Sequence, residues 1–256
     1  MKISVLSDGA WGTALAMNLV VNRHDVTIWG PFPDYLEEMR NSRTNSRFLP
    51  GVRLPAELRF EPDMGAAVAG CDMLLLATPT QYLRSVLDKL KPHFDPERHL
   101  LVDVAKGIEV DSWLRISEMV ESVLGENRYA VLSGPSHAEE VSRQVPTAVV
   151  VASRNPHDAE LVQTTFFNDN FRVYTGDDVV GVELGGALKN VMAIAAGIID
   201  GMRLGDNPKA ALMTRGISEM GRLGELLGGQ ARTFSGLSGI GDLIVTATSM
   251  HSRHNR

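Results

Sequence analysis

Several shortages in this sequence each exclude a class of protein. There is one cysteine, Cys71, so no disulfide framework can form within the chain, as suits a reducing compartment. Basic residues are outnumbered: Lys plus Arg total 25 against 31 Asp plus Glu. The net charge of −6 argues against a nucleic-acid binder or a basic membrane-surface protein. Long apolar runs are missing; Ala148–Ala152 and Val191–Ile199 fall well short of the ~20 residues that span a bilayer. The N-terminus runs straight into Lys2-Ile3-Ser4-Val5-Leu6 without a leader pattern. A cytoplasmic protein with no stable membrane insertion is the expectation. There are no internal repeats or low-complexity tracts.

What is present is a core. At 256 residues and 44% apolar, the chain can fill one large or two modest domains. Short, mostly continuous apolar runs recur at Ile3–Leu6, Val26–Trp29, Met73–Ala77, Leu100–Val104, Ala130–Leu132, Ala148–Ala152 and Phe171–Tyr174. Such runs read as parallel strands buried on both faces. Helical patterns lie between them at Thr13–Val21, Tyr82–Leu90, Leu114–Leu124 and Asp158–Phe167. The alternation predicts an α/β fold with a Rossmann-type, doubly wound, mostly parallel sheet.

After Thr175 the grammar changes. Gly176-Asp177-Asp178 reads as a break and a helix start, with acids suited to the N-terminal end of a helix dipole. Two helices are expected, over Val179–Met202 and Pro208–Leu227, the second with Asn207 as N-cap and Pro208 at N1. A last helical piece lies near Leu243. The expected division is a dinucleotide-binding domain over 1–178 and an all-α substrate domain over 179–256. The pattern at Arg256 has neither cap nor tail composition, so the helical part reads as truncated.

Ser7-Asp8-Gly9-Ala10-Trp11-Gly12 follows the first strand and opens a helix. It is G-x-G-x-x-G with Ser7 for the first glycine. Gly9 would let the backbone approach a pyrophosphate, Gly12 would let helix pack on strand, and the helix N-terminus would offer N–H groups. Glycine turns also occur without ligands, but this one sits in the first βαβ unit. A carboxylate at Asp8 is awkward beside phosphates unless it points away. Trp29-Gly30-Pro31-Phe32 carries neither an acid for a ribose hydroxyl nor an arginine for a 2′-phosphate, so NAD and NADP both stay open.

The strand ends carry Thr78-Pro79-Thr80, Ala105-Lys106-Gly107 and Ser133-Gly134-Pro135-Ser136. Only six lysines occur in the chain, so one at a strand end is suggestive, although a solvated loop lysine is the plain alternative. Lys189 is sharper. Its helical neighbours Val182, Gly185, Gly186, Met192, Ala193 and Ala196 are all apolar or small. Desolvation there lowers a lysine's pKa and makes it a usable proton donor and acceptor; otherwise its stem snorkels to water. Asp242, Thr246, Ser249 and Arg253 fall on one helical stripe. A solvated face is the ordinary reading, with Ile244 and Ala247 packing on the far side, although Arg253 could hold a phosphate or carboxylate. His137, after Ser136, is assigned no chemistry.

These residues together resemble the NAD(P)-dependent glycerol-3-phosphate dehydrogenase family. The resemblance runs through Gly9–Ala16, Phe48–Gly51, Lys106–Glu109, Ser133–Val141, Glu183–Val191, Gly205-Asp206-Asn207 with Thr214-Arg215, Gly241-Asp242-Leu243 and Ser252-Arg253, in the family's order. It implies a nicotinamide enzyme interconverting sn-glycerol 3-phosphate and dihydroxyacetone phosphate for phospholipid synthesis. By this resemblance Lys189 exchanges a proton with the substrate oxygen, and Lys106 and Asp242 orient and polarise the substrate. Gly134, Ser136, Ser252 and Arg253 surround the glycerol phosphate. Gly9, Ala10, Trp11, Gly12, Lys106, Ala138 and Arg253 approach NAD or NADP. No metal is expected, and a homodimer stays open. Departures from the family pattern are Ser7, Asp8, the missing arginine at Gly30-Pro31, and His254 where the family has Asn. Two other readings compete: a non-catalytic dinucleotide-binding sensor module, and a dehydrogenase of another hydroxy acid or sugar acid.

Overall fold

The computed structural model describes residues 1–248. Its centre is an eight-stranded sheet built from β1 (Lys2–Leu6), β2 (Asp25–Trp29), β5 (Arg59–Glu61), β6 (Met73–Leu76), β7 (Leu100–Asp103), β8 (Arg128–Ser133), β9 (Thr147–Ser153) and β10 (Phe171–Gly176). The order is β10-β9-β8-β7-β6-β1-β2-β5, and every neighbouring pair is parallel except β8 with β9. A separate antiparallel ribbon pairs β3 (Thr44–Asn45) with β4 (Leu49–Arg53). The chain winds outward from β1 through β2 to β5, then returns to β6 on the other side of β1. The carboxyl ends of β1 and β6 therefore flank the topological switch point, where open α/β sheets bind ligands.

The continuous apolar runs have a simple cause. Ile3, Val5, Val26, Ile28, Met73, Leu75, Leu100 and Val102 enter one core, while Leu6, Trp29, Leu74, Leu76 and Leu101 enter the other. Successive side chains point to opposite faces, and both faces are covered. The covering helices are α1 (Ala10–Val21), α2 (Pro33–Ser42), α3 (Met64–Val68), α4 (Thr80–Leu90), α5 (Ile116–Leu124), α6 (Ala138–Val141) and α7 (Pro156–Phe166).

Beyond β10 the described residues hold no strand. The 23-residue helix α8 (Val179–Gly201) is capped by Asp178, whose carboxylate accepts from the Gly181 N–H at 2.8 Å. By length and composition α8 alone among the described helices could cross a membrane; here it is a partly buried helix carrying Glu183 and Lys189 among its buried residues. Next come α9 (Asp206–Leu226), α10 (Ala231–Phe234), a π-helical turn over Leu237–Gly241, and α11 (Asp242–Thr248). Leu184, Met220, Phe234 and Leu243 form their small core. The expected α9 start is corrected. Gly205 is the N-cap, with φ at +93°, and Pro208 is the third helical residue. Only glycine takes that backbone conformation cheaply, and a proline in the first turn removes an N–H that has no helical partner anyway.

Candidate active site

The glycine turn joins β1 to α1 with little room to spare. A Cβ on Gly12 would lie 3.0 Å from the Ser7 carbonyl oxygen, 3.1 Å from Ala77 and 3.2 Å from Val5, so helix and strand approach as they do only over glycine. Gly9 caps α1 without a side-chain bond, which leaves the first-turn N–H groups of Ala10, Trp11 and Gly12 to an outside acceptor. Ser7 is accommodated rather than disruptive: its hydroxyl accepts the Gly9 N–H at 3.0 Å. The Trp11 indole N–H is buried without a hydrogen-bond partner among the described residues. An open helix N-terminus and an orphaned donor beside it fit the pyrophosphate of a dinucleotide.

Across the crest stand two lysines and one carboxylate. Lys106 follows β7 and donates to Asp242 Oδ2 at 2.5 Å and to the Gly134 carbonyl at 3.1 Å. Lys189, halfway along α8, donates to Asp242 Oδ1 at 3.0 Å and to Thr246 Oγ1 at 2.6 Å. Asp242 is 1% exposed and Lys189 7%. Burial lowers the Lys189 pKa to about 8, reinforced by the Lys106 charge and opposed by Asp242. Each ammonium has three N–H groups, and each spends two on these partners. The three groups sum to one positive charge, which suits an anionic substrate and a developing alkoxide.

The polar stripe on α11 corrects an expectation. Asp242 and Thr246 face inward, while Ile244, expected to pack, is 46% exposed. A buried carboxylate needs partners, and the two lysines supply them. Ala247 is buried as expected.

The predicted residues do not all converge. Lys106, Lys189, Asp242 and Gly134 are brought together. Ser136 sits one step out, its hydroxyl donating to the Gly134 carbonyl at 3.0 Å. Ala138 is buried at the start of α6, in the core that also holds Ala14 and Leu15 of α1. Gly9, Ala10, Trp11 and Gly12 form the turn at β1. Ser249, Ser252, Arg253 and His254 lie outside the described residues.

Sequence reasoning missed what lies beneath. Glu183 on α8 accepts from Arg115 at 2.6 Å, from the Ser117 N–H at 2.7 Å, from the Ser117 hydroxyl at 2.8 Å, and from Tyr129 at 2.9 Å. Tyr129 also lies 3.1 Å from Asp103 Oδ2. Tyrosine has one proton to give, and Glu183 is already the acceptor of the cluster. The buried Asp103 carboxyl accepts the Ala105 N–H at 2.9 Å and shares the Tyr129 hydroxyl with Glu183. Burial pushes its pKa well up, and the Glu183 charge adds to the effect. The available signals were a carboxylate ending an apolar strand three residues before Lys106, and an acid inside an apolar helix.

A glycine-turn nucleotide fold whose attached helices deliver a buried lysine to the sheet crest is the architecture of a nicotinamide-dependent dehydrogenase. Family models for the NAD-dependent glycerol-3-phosphate dehydrogenase N-terminus and C-terminus match residues 2–159 and 178–256. Glycerol-3-phosphate dehydrogenase, NAD(P)+, of Syntrophomonas wolfei is 50% identical over 258 residues, all of this chain and 75% of that protein. The Bacillus pumilus enzyme of the same name is 51% identical over 258 residues, again all of this chain and 74% of the relative. A crystal structure of glycerol-3-phosphate dehydrogenase from Coxiella burnetii superposes with a TM-score of 0.96 at 40% identity, covering 100% of this chain and 78% of that one. The chain belongs to the NAD-dependent glycerol-3-phosphate dehydrogenase family.

Proposed function

We propose that this chain interconverts sn-glycerol 3-phosphate and dihydroxyacetone phosphate, supplying the glycerol backbone of phospholipids. The observation that carries the reading is the Lys189–Asp242–Lys106 cluster at the sheet crest, where a desolvated proton carrier and an anion-stabilising charge meet. Nicotinamide, when bound, supplies the hydride chemistry at the substrate carbon. The chain's own residues manage the oxygen. In the reducing direction Lys189 donates a proton to the carbonyl oxygen as it becomes the secondary hydroxyl; in the oxidising direction it takes that proton back. Asp242 fixes the ammonium between itself and Thr246, so the transfer needs no search for geometry. Lys106 points its remaining N–H at the same oxygen and steadies the alkoxide character of the transition state.

On this reading residues 1–178 hold the cofactor, with Gly9, Ala10, Trp11 and Gly12 at its pyrophosphate and Ala138 nearby. Residues 179–256 complete the substrate side, their Ser252 and Arg253 joining Gly134 and Ser136 of the first part around the phosphate. The enzyme works in the cytoplasm on a free phosphorylated metabolite, in accord with its acidic composition and single buried cysteine.

Initial-rate assays with NADH or NADPH test this. Oxidation dependent on dihydroxyacetone phosphate, with dihydroxyacetone a far poorer substrate, is the expected result. Equal rates with both ketones, or none with the phosphate ester, would contradict it.

A further inference from the structure

Gly30, the residue after β2, stands where a dinucleotide fold ordinarily places the acid that takes the adenosine ribose hydroxyls. It cannot carry such a side chain here. A Cβ on Gly30 would lie 2.9 Å from Asp8 Oδ2 and 3.0 Å from both Asp8 Cβ and Cγ. The Asp8 carboxyl, coming from the glycine turn, already fills that place. It is 7% exposed, and its Oδ2 has no hydrogen-bond partner among the described residues. An unpartnered buried carboxylate oxygen is costly and asks for a donor.

The turn that carries it is fixed. The Asn45 amide donates to the Asp8 carbonyl at 2.8 Å and to the Thr13 hydroxyl at 2.8 Å, and Tyr35 donates to Asn45 Oδ1 at 2.7 Å. Arg47, whose charge acts on the Asp8 carboxyl, is exposed and stacked over the Tyr35 ring at 4.2 Å. The residues directly after β2, Gly30-Pro31-Phe32, include no arginine to receive a 2′-phosphate.

Resting on the dehydrogenase reading above, we infer that Asp8 is the residue that determines cofactor specificity, accepting an adenosine ribose hydroxyl and repelling a 2′-phosphate, so that this chain selects NADH over NADPH. The acid of the second strand has in effect moved to the first turn. The similar glycerol-3-phosphate dehydrogenases of Syntrophomonas wolfei and Bacillus pumilus are named for both cofactors; the selectivity is a property of the Asp8–Gly30 pair.

Equilibrium titration of the chain with NADH and NADPH by fluorescence, without substrate, measures this directly. The expected wild-type result is NADH bound at least about tenfold more tightly, the scale of one partly screened carboxylate–phosphate repulsion. Asp8→Ala and the closer-fitting Asp8→Asn are expected to tighten NADPH by about the same factor. Asp8→Gly/Gly30→Asp, which removes the Asp8 Cβ along with its carboxyl and returns the acid to the second strand, is expected to restore the preference for NADH. Equal wild-type affinities overturn the assignment while leaving the dehydrogenase reading intact, and that measurement depends on no variant folding. An unchanged ratio in both single variants overturns it as well. Failure of the wild-type chain to bind either cofactor overturns both.

Discussion

Gly185 and Ser238 meet backbone to backbone: a Cβ on Gly185 would lie 2.7 Å from the Ser238 carbonyl oxygen and 3.1 Å from its carbon. Ser238 belongs to the π-helical turn that leads directly into Asp242. The next residue serves the other side. A Cβ on Gly186 would lie 3.3 Å from Lys106 Cγ and 3.1 Å from Ser133 Oγ. Two adjacent glycines thus let α8 seat Asp242 on one flank and the Lys106 stem on the other, three residues before Lys189.

Gly185→Ala should therefore damage catalysis before it damages folding. The added methyl pushes the π-helical turn and Asp242 with it, and a displacement near 1 Å in a catalytic constellation costs roughly 10²-fold in turnover. Steady-state kinetics with a parallel thermal melt checks this. A drop of that size in kcat with a melting temperature within a few degrees of wild type is expected. Full activity would mean that the contact does not set Asp242.

The Lys189 pKa near 8 gives a pH dependence of opposite sign in the two directions. Glycerol 3-phosphate oxidation needs the neutral amine and should rise as pH passes about 8. Dihydroxyacetone phosphate reduction needs the ammonium and should fall over the same range. Linkage gives a second reading. The folded pKa lies below the ordinary lysine value of 10.5, so between about 8 and 10.5 the unfolded chain holds the extra proton and stability rises with pH. Replacing Lys189 by Met should flatten that rise in denaturant titrations across the window.

The cluster beneath the site sets two carboxyl groups about one tyrosine hydroxyl. Glu183→Gln takes from the half-buried Arg115 one of its two carboxylate partners, Glu118 being the other, and leaves Ser117 and Tyr129 facing a neutral amide, so about 1–3 kcal/mol of stability should be lost. Asp103→Asn removes a carboxyl whose charged form burial disfavours and keeps an oxygen to accept from Tyr129, so it should cost less than Glu183→Gln. A raised carboxyl pKa adds stability that is present at low pH and lost as pH climbs through the folded pKa. Asp103→Asn should therefore gain on wild type as pH rises. Denaturant midpoints for both variants, taken over a pH series, test the assignment. Equal losses in the two variants at every pH would contradict the raised Asp103 pKa.

Much of the sheet was legible because its strands are buried on both faces. Val5 and Leu6 enter opposite cores, and the unbroken apolar run reports that. The edge strand β5 and the ribbon of β3 and β4 are short and half polar, so no run marks them. Helix α2 opens at Pro33 and is mostly charged or polar outside Tyr35, Leu36 and Met39, which hid its period. The site was half legible. Lys189 stood out because every helical neighbour is small or apolar. The α11 stripe stayed open between a solvated face and a functional one, because helical spacing says which residues share a face but not which face turns inward. Glu183 was passed over, since its partners Arg115 and Tyr129 are 68 and 54 residues away in sequence.

Single-turnover hydride transfer in Lys189→Ala, with cofactor affinity measured alongside, tests the central claim most directly. Removing a placed proton carrier should slow the chemical step by about 10²–10⁴-fold while the cofactor dissociation constant stays within about twofold of wild type. A chemical step that keeps its wild-type rate would contradict the account, because the buried ammonium at the sheet crest would then have no part in moving the proton.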